Sequence, residues 1–164
     1  MPQEIKRLLK SLREKCLVGL ITNGPSAGQW EKVDRLNLKP LFDVILVSGD
    51  LPWEKPQKRI FQEACDMLGV VPSQTIMIGD KLETDIQGGI NARVGATIWI
   101  PPNNRTLNVG DPTPDMIIKN VTELKALIPH IKNLIKEKNG SNRGVCERMS
   151  LDAEDCNSNG SDGS

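Results

Sequence analysis

Four short apolar runs, each stopped by turn residues and each followed by a stretch of helical character, constrain this chain more than any other feature. They are Cys16–Ile21, Val44–Val47, Thr75–Ile78 and Ala96–Ile100. Turn residues follow: Thr22-Asn23-Gly24-Pro25, Ser48-Gly49-Asp50, Gly79-Asp80 and Pro101-Pro102. A run of this kind predicts a strand buried on both faces, as in a parallel sheet. Ile5, Leu8, Leu9 and Leu12 recur at helical spacing ahead of the first run. Helices are expected over 27–36, from Lys55-Pro56 to Leu68, with Pro56 in the first turn, and over 84–92. Met116–Ile118 adds a short fifth strand, and 122–138 reads as helical with an interruption at Pro129. The alternation predicts an α/β fold: a parallel sheet with helices on both faces.

Residues 1–138 carry this pattern, and 139–164 do not. Gly, Ser, Asn and acidic residues dominate the second segment. Such a composition buries too little apolar surface to offset its ordering entropy, so a disordered tail is expected there.

The 164 residues suit one domain, and Lys+Arg equals Asp+Glu at 21 each. With no basic stripe interleaved with aromatics, nucleic acid is not an expected partner. No apolar run reaches the length of a membrane span, and the polar start Met1-Pro2-Gln3-Glu4 does not resemble a signal peptide. Cys16, Cys65, Cys146 and Cys156 form no Cys-x-x-Cys pair. Cys16 and Cys65 fall in apolar segments, which reads as buried thiols in a reduced, cytoplasmic setting. Asn120-Val121-Thr122 matches a glycosylation sequon but in such a setting reads as a helix cap. The single histidine, His130, sits on a late helix and reads as a surface or half-buried group, so hydrolytic chemistry must rest on carboxylates.

Ligands of parallel α/β sheets bind outside the carboxyl ends of the strands. The residues to inspect are therefore Thr22, Asn23, Lys55, Asp80 and Asp85. Asp80 follows the third strand and Asp85 lies five residues later. Two carboxylates at one point suit Mg²⁺, which keeps water and takes a phosphate oxygen; a helix cap is the plainer reading of either alone. The Thr22 hydroxyl and the amides of Asn23 and Gly24 are short donors for a phosphoryl oxygen, although Thr-Asn-Gly alone is a turn. Lys55, just before the expected helix, opposes the macrodipole and so calls for an anionic partner; a solvated loop lysine is the plainer reading.

Taken in order, a strand ending in Thr-Asn, Lys-Pro opening a helix, and a strand ending in Gly-Asp-x-x-x-x-Asp resemble motifs two, three and four of the haloacid dehalogenase-like superfamily. The resemblance covers 5–127. It implies phosphate contacts from Thr22, Asn23 and Lys55, and Mg²⁺ held by Asp80 with support from Asp85. More narrowly, Glu54-Lys55-Pro56, Ile60-Phe61, Leu68-Gly69-Val70 and Leu82-Glu83-Thr84-Asp85-Ile86-Gln87-Gly88-Gly89 resemble the phosphatases that act on a sialic acid 9-phosphate. The implied partner is a small sugar phosphate.

The superfamily's first motif, Asp-x-Asp-x-Thr, supplies the attacking carboxylate and the general acid/base. No such triplet precedes Thr22. The expected architecture is thus a Rossmann-like core lacking its first strand and its cap, with no catalytic residue in the chain and negligible activity alone. An incomplete gene model or truncated transcript is the expected origin. In the superfamily the motif-one strand lies between those ending at Thr22 and Asp80. Without it, either two unpaired edges remain or the strands close up and shift Thr22 relative to Asp80. A phosphate- or partner-binding remnant working with a complementing chain is the alternative. A receiver-like signalling domain fits less well, because acidic residues before the first Thr-ending strand are missing.

Overall fold

The computed structural model describes residues 1–138; the expectation for 139–164 lies outside the described residues. Five parallel-paired strands are present: β1 (Gly19–Thr22), β2 (Val44–Val47), β3 (Ile76–Gly79), β4 (Ala96–Trp99) and β5 (Met116–Ile117). The helices are α1 (Gln3–Arg13), α2 (Ser26–Arg35), α3 (Lys58–Leu68), α4 (Gln87–Asn91) and α5 (Leu124–Lys138).

The strands do not form one sheet. Among the described residues β1 pairs only with β2, and β3, β4 and β5 form a separate sheet. The two fragments nevertheless share a core. Ile21 of β1, Val44 and Leu46 of β2, and Met77 of β3 pack with Ile60, Phe61 and Ala64 of α3. On the opposite face Leu20 and Ile45 pack with Val33 of α2 and Leu9 of α1. Ile76, Ile78 and Ile98 pack there with Leu124 and Ile131 of α5. Helix packing therefore holds the fragments apart in register, and β1 and β3 do not close up. Burial follows: β4 is buried throughout, whereas β1 and β3 are only half-buried. The expectation that all four runs lie buried on both faces fails for these two, because each lacks a neighbour on one edge.

A cavity of about 420 Å³ occupies the gap, lined by the facing edges of β1 and β3. At the carboxyl ends of the strands Lys55, Asp80 and Asp85 line it.

Three helix boundaries differ from expectation. Helix α3 starts at Lys58, because Glu54–Gln57 is a turn closed by Gln57 N–H donating to the Glu54 carbonyl (2.8 Å) and containing a cis Lys55-Pro56 bond. Pro56 is thus outside the helix. Residues Leu82–Ile86 form a π-turn ahead of the short α4. Helix α5 runs through Pro129 without a break; proline removes one ladder bond there, and burial of Leu124 and Ile131 on either side of it holds the helix to the sheet.

The edges are tied by local polar bonds. Asn120 caps the turn leading into α5 in a capping box with Glu123. Asp43 accepts from Arg13 (2.6 Å) and from Val18 N–H (2.7 Å), joining the end of α1 to the entries of β1 and β2. Burial pushes the Asp43 carboxyl up, but Arg13 and the Val18 amide outweigh it and hold it below its ordinary value. Gly69 ends α3 at φ +71°, the left-handed position that favours glycine. Cys65 is buried in α3 and Cys16 half-buried, neither in a disulfide, and burial raises the Cys65 thiol above its ordinary value. His130 is exposed on α5. Among the described residues no helix is long and apolar enough to cross a membrane.

Candidate functional site

The carboxyl ends of β1 and β3 and the turn before α3 converge on one point. At its centre the Lys55 ammonium lies 2.6 Å from Asp85 Oδ1. Both side chains are largely buried, at 11% and 6% exposure. The ammonium also donates to the Ile21 carbonyl at 3.0 Å. Asp85 uses its other oxygen to accept from Lys81 N–H at 3.1 Å. The anionic partner that the position of Lys55 called for is thus Asp85, although the macrodipole reason fails because Lys55 stands apart from the helix start.

Backbone clamps fix Lys55. The Asn23 side chain accepts from Lys55 N–H (3.0 Å) and donates to the Lys55 carbonyl (2.9 Å). Asn91 of α4 donates to the Pro56 carbonyl at 3.0 Å. Gly88 lets α4 approach this turn, since a methyl there would meet Phe61 and the Pro56 backbone. With its side chain committed to the clamp, Asn23 has its backbone N–H left to offer an anion.

Thr22 ends β1, and its hydroxyl donates to Gln29 Oε1 at 3.0 Å. Gln29 comes from the first turn of α2 and packs across Gly24. The following loop is braced from β2: Gly24 N–H donates to Ser48 Oγ (2.9 Å), and Gly49 N–H to the Gly24 carbonyl (3.0 Å). Farther out, Asp50 accepts from the Ser26 hydroxyl and from Trp30 Nε1 (2.7 Å), which lowers its carboxyl below the ordinary value.

Asp80 is exposed and lines the cavity. Its carbonyl accepts from the indole of fully buried Trp99 at 2.9 Å, which anchors the loop that carries it. Gly79, just before it, faces the Asp85 side chain so closely that a Cβ would collide with the carboxylate.

The structure therefore brings Lys55, Asp80 and Asp85 to one cavity and ties Thr22 and Asn23 to the same loop system. Gln29, Asn91 and Trp99 support the site and escaped the sequence reading. Only the tertiary fold connects them to it, and no spacing announces them.

No group of three His, Cys, Asp or Glu side chains able to hold a metal occurs among the described residues. Mg²⁺ needs fewer protein ligands than that, keeping water and taking substrate oxygen. Exposed Asp80 suits it as a direct ligand. Asp85, engaged by Lys55 and Lys81, suits it as a supporting carboxylate.

A sequence profile of the haloacid dehalogenase-like hydrolases matches residues 3–93. The chain belongs to this family. N-acylneuraminate-9-phosphatase of Mus musculus is 40% identical over 131 residues, covering 80% of this chain and 53% of that protein. The Escherichia coli pyrimidine 5'-nucleotidase YjjG is 36% identical over 122 residues, covering 74% and 53%. Among solved structures, the HAD-hydrolase YfnB of Bacillus subtilis, bound to magnesium, superimposes with a TM-score of 0.70 at 27% identity, covering 77% of this chain and 55% of that one. The chain spans about half the length of the curated relatives it matches. The profile match takes in Thr22, Asn23, Lys55, Asp80 and Asp85, and its members in this comparison include phosphatases of small phosphorylated molecules.

Proposed function

We propose that this chain carries the phosphate- and Mg²⁺-binding half of a haloacid dehalogenase-like phosphatase that acts on a sugar phosphate, N-acylneuraminate 9-phosphate above others. The buried Lys55–Asp85 pair in the wall of the cavity carries the reading. A cation held in place by a carboxylate and two backbone clamps is preorganised to meet an anion, which is what phosphoryl transfer requires of a protein. The Thr22 hydroxyl and the Asn23 amide would hold phosphoryl oxygens, and Lys55 would neutralise their charge, while the Gly24 amide stays with Ser48. Asp80 and Asp85 would hold Mg²⁺, which when bound shares the phosphate charge. Identity of 40% to the mouse N-acylneuraminate-9-phosphatase supports the substrate class.

The attacking carboxylate is not among the residues that converge here. In the family an aspartate forms an aspartyl-phosphate that water then hydrolyses. This chain alone is therefore proposed to bind without turning over, and to need a complementing Asp-x-Asp-x-Thr segment. The test is to fuse the N-terminal part of the mouse relative upstream of Met1 and assay a panel of sugar phosphates with Mg²⁺. Turnover led by N-acylneuraminate 9-phosphate is expected. A fusion that folds but hydrolyses none of the panel would remove the reading.

The division into two sheet fragments favours a second reading, a phosphate- or partner-binding remnant. The same fusion separates them, because a remnant would remain inactive.

A further inference from the structure

We infer that Trp99 is the positioning residue of the candidate cation site: through a single peptide group it sets the directions of Asp80 and Asp85 together, and its indole registers a cation held there. The inference rests on the reading of these two carboxylates as a Mg²⁺ site.

The peptide group is the one that joins Asp80 to Lys81. Its oxygen accepts from Trp99 Nε1 at 2.9 Å, and its N–H donates to Asp85 Oδ2 at 3.1 Å. A peptide group is planar, so fixing the oxygen also fixes the line of the N–H. Asp80 hangs from one end of this group and Asp85 is bonded to the other, so one indole acts on both. Asp85 passes the constraint on, because its Oδ1 holds the Lys55 ammonium at 2.6 Å. A donor on the carbonyl also polarises the peptide group and strengthens its N–H toward Asp85, as in hydrogen-bonded chains generally.

The Asp80 side chain has no brace of its own. Its carboxylate is exposed and makes no hydrogen bond or ion pair among the described residues. Its aim therefore follows its backbone. On the strand side the Gly79 carbonyl accepts from Ile100 N–H at 2.9 Å, the last backbone bond between β3 and the end of β4. Past that bond the Trp99 indole is the next tie to β4.

The same side chain holds the turn that carries Asp85. Trp99, Leu82 and Ile86 form one cluster, each 0% exposed. Leu82 and Ile86 are the first and last residues of the π-turn around Asp85, so the turn cannot swing without opening the cluster. Burial alone asks only that an indole find an acceptor. The acceptor here belongs to the residue with the exposed carboxylate, and a phenylalanine would serve the apolar cluster without that bond. Groups that orient a metal-binding side chain from behind are worth about ten- to a hundredfold in metal affinity.

The experiment titrates Mg²⁺ into the 164-residue chain labelled with fluorotryptophan, followed by calorimetry and fluorine NMR. Three signals are expected, from Trp30, Trp53 and Trp99, and Trp99→Phe assigns the last. The Trp99 signal should move saturably with Mg²⁺, and that of Trp30, whose indole donates to Asp50, should stay. Benzothienylalanine at position 99 keeps the bicyclic shape and puts sulfur in place of the N–H. It should weaken Mg²⁺ about tenfold, and Trp99→Phe by at least as much. Ile98→Val trims the neighbouring residue, which packs on α5 rather than on the carboxylate turn, and should leave Mg²⁺ affinity within about twofold. Equal affinity in the benzothienyl chain, an unmoved Trp99 signal at saturation, or the same loss in Ile98→Val would overturn the inference and leave the cation site standing. Absence of any Mg²⁺ uptake that Asp80→Asn removes would overturn the cation site and the inference with it.

Discussion

Lys55 Nζ and Asp85 Oδ1 lie 2.6 Å apart although 30 residues separate them in the chain, and both are nearly withdrawn from solvent. The pair joins the turn before α3 to the π-turn before α4, across the open end of the gap between the sheet fragments. A buried pair adds little net stability over an apolar one, yet losing one partner strands a charge. Asp85 thus positions Lys55 as well as standing close to a candidate cation site.

Asp85→Leu should lower the unfolding free energy by about 3 kcal/mol, because the ammonium would keep only the Ile21 carbonyl for a partner, and Lys55→Met should likewise strand the carboxylate. The double variant Lys55→Met with Asp85→Leu should recover much of that loss. Urea denaturation of the two single variants and the double variant measures the coupling. Additive losses would contradict a direct pair.

Gly79→Ala should disturb the same carboxylate by steric contact, since the new methyl has nowhere to go but into Asp85. A cost of about 2 kcal/mol is expected from such overpacking. Because the new methyl meets the Asp85 Cβ as well as its carboxylate, Asp85→Ala should relieve only part of that cost and Asp85→Gly more of it, which melts in urea of the double variants would show.

Gln29→Leu should leave stability within about 0.5 kcal/mol, as for most exposed or half-buried changes. It should alter affinity for inorganic phosphate by about threefold to tenfold, the worth of orienting one hydroxyl. The Thr22 proton now goes to Gln29 Oε1, and an anion must compete for it. Calorimetric titration with phosphate compares the two chains, and Thr22→Val should abolish the difference between them.

Asp43 sets a pH dependence. Its folded pKa is depressed, so its contribution is present above the unfolded value of about 3.9 and is lost as pH falls through the lower folded value. Asp43→Asn should cost about 1 kcal/mol at neutral pH, given the partial exposure of the Arg13 pair. It should also flatten the loss of stability below about pH 4. Thermal melts of both chains from neutral pH down to acid check the slope.

The order of strands and helices was legible because fully apolar runs and turn residues mark a parallel sheet directly. Val44–Val47 matched residue for residue, and the other strands shifted at their ends by one to three residues. Lys55-Pro56 was misread as a helix start because proline suits a first turn as well as it suits the bend that the Asn23 clamp holds here. That the five candidate residues lie near one another at the carboxyl ends of the strands was legible from their place after strands. Their division of labour was not, since it depends on contacts between residues far apart in sequence: Asn23 with the backbone of Lys55, Asp85 with its ammonium, and Gln29 with Thr22. The open edges of β1 and β3 were anticipated only through the family resemblance, because an apolar run by itself looks the same whether or not a strand lies beside it.

The proposed site binds a phosphate ester and does not hydrolyse it without a further segment. Phosphorus NMR of N-acylneuraminate 9-phosphate with Mg²⁺ and stoichiometric chain tests both halves at once. The predicted result is a broadened, shifted ester signal that Lys55→Met restores to its free position, with no growth of the inorganic phosphate signal. Steady release of inorganic phosphate, or an ester signal unaffected by the chain, would contradict it.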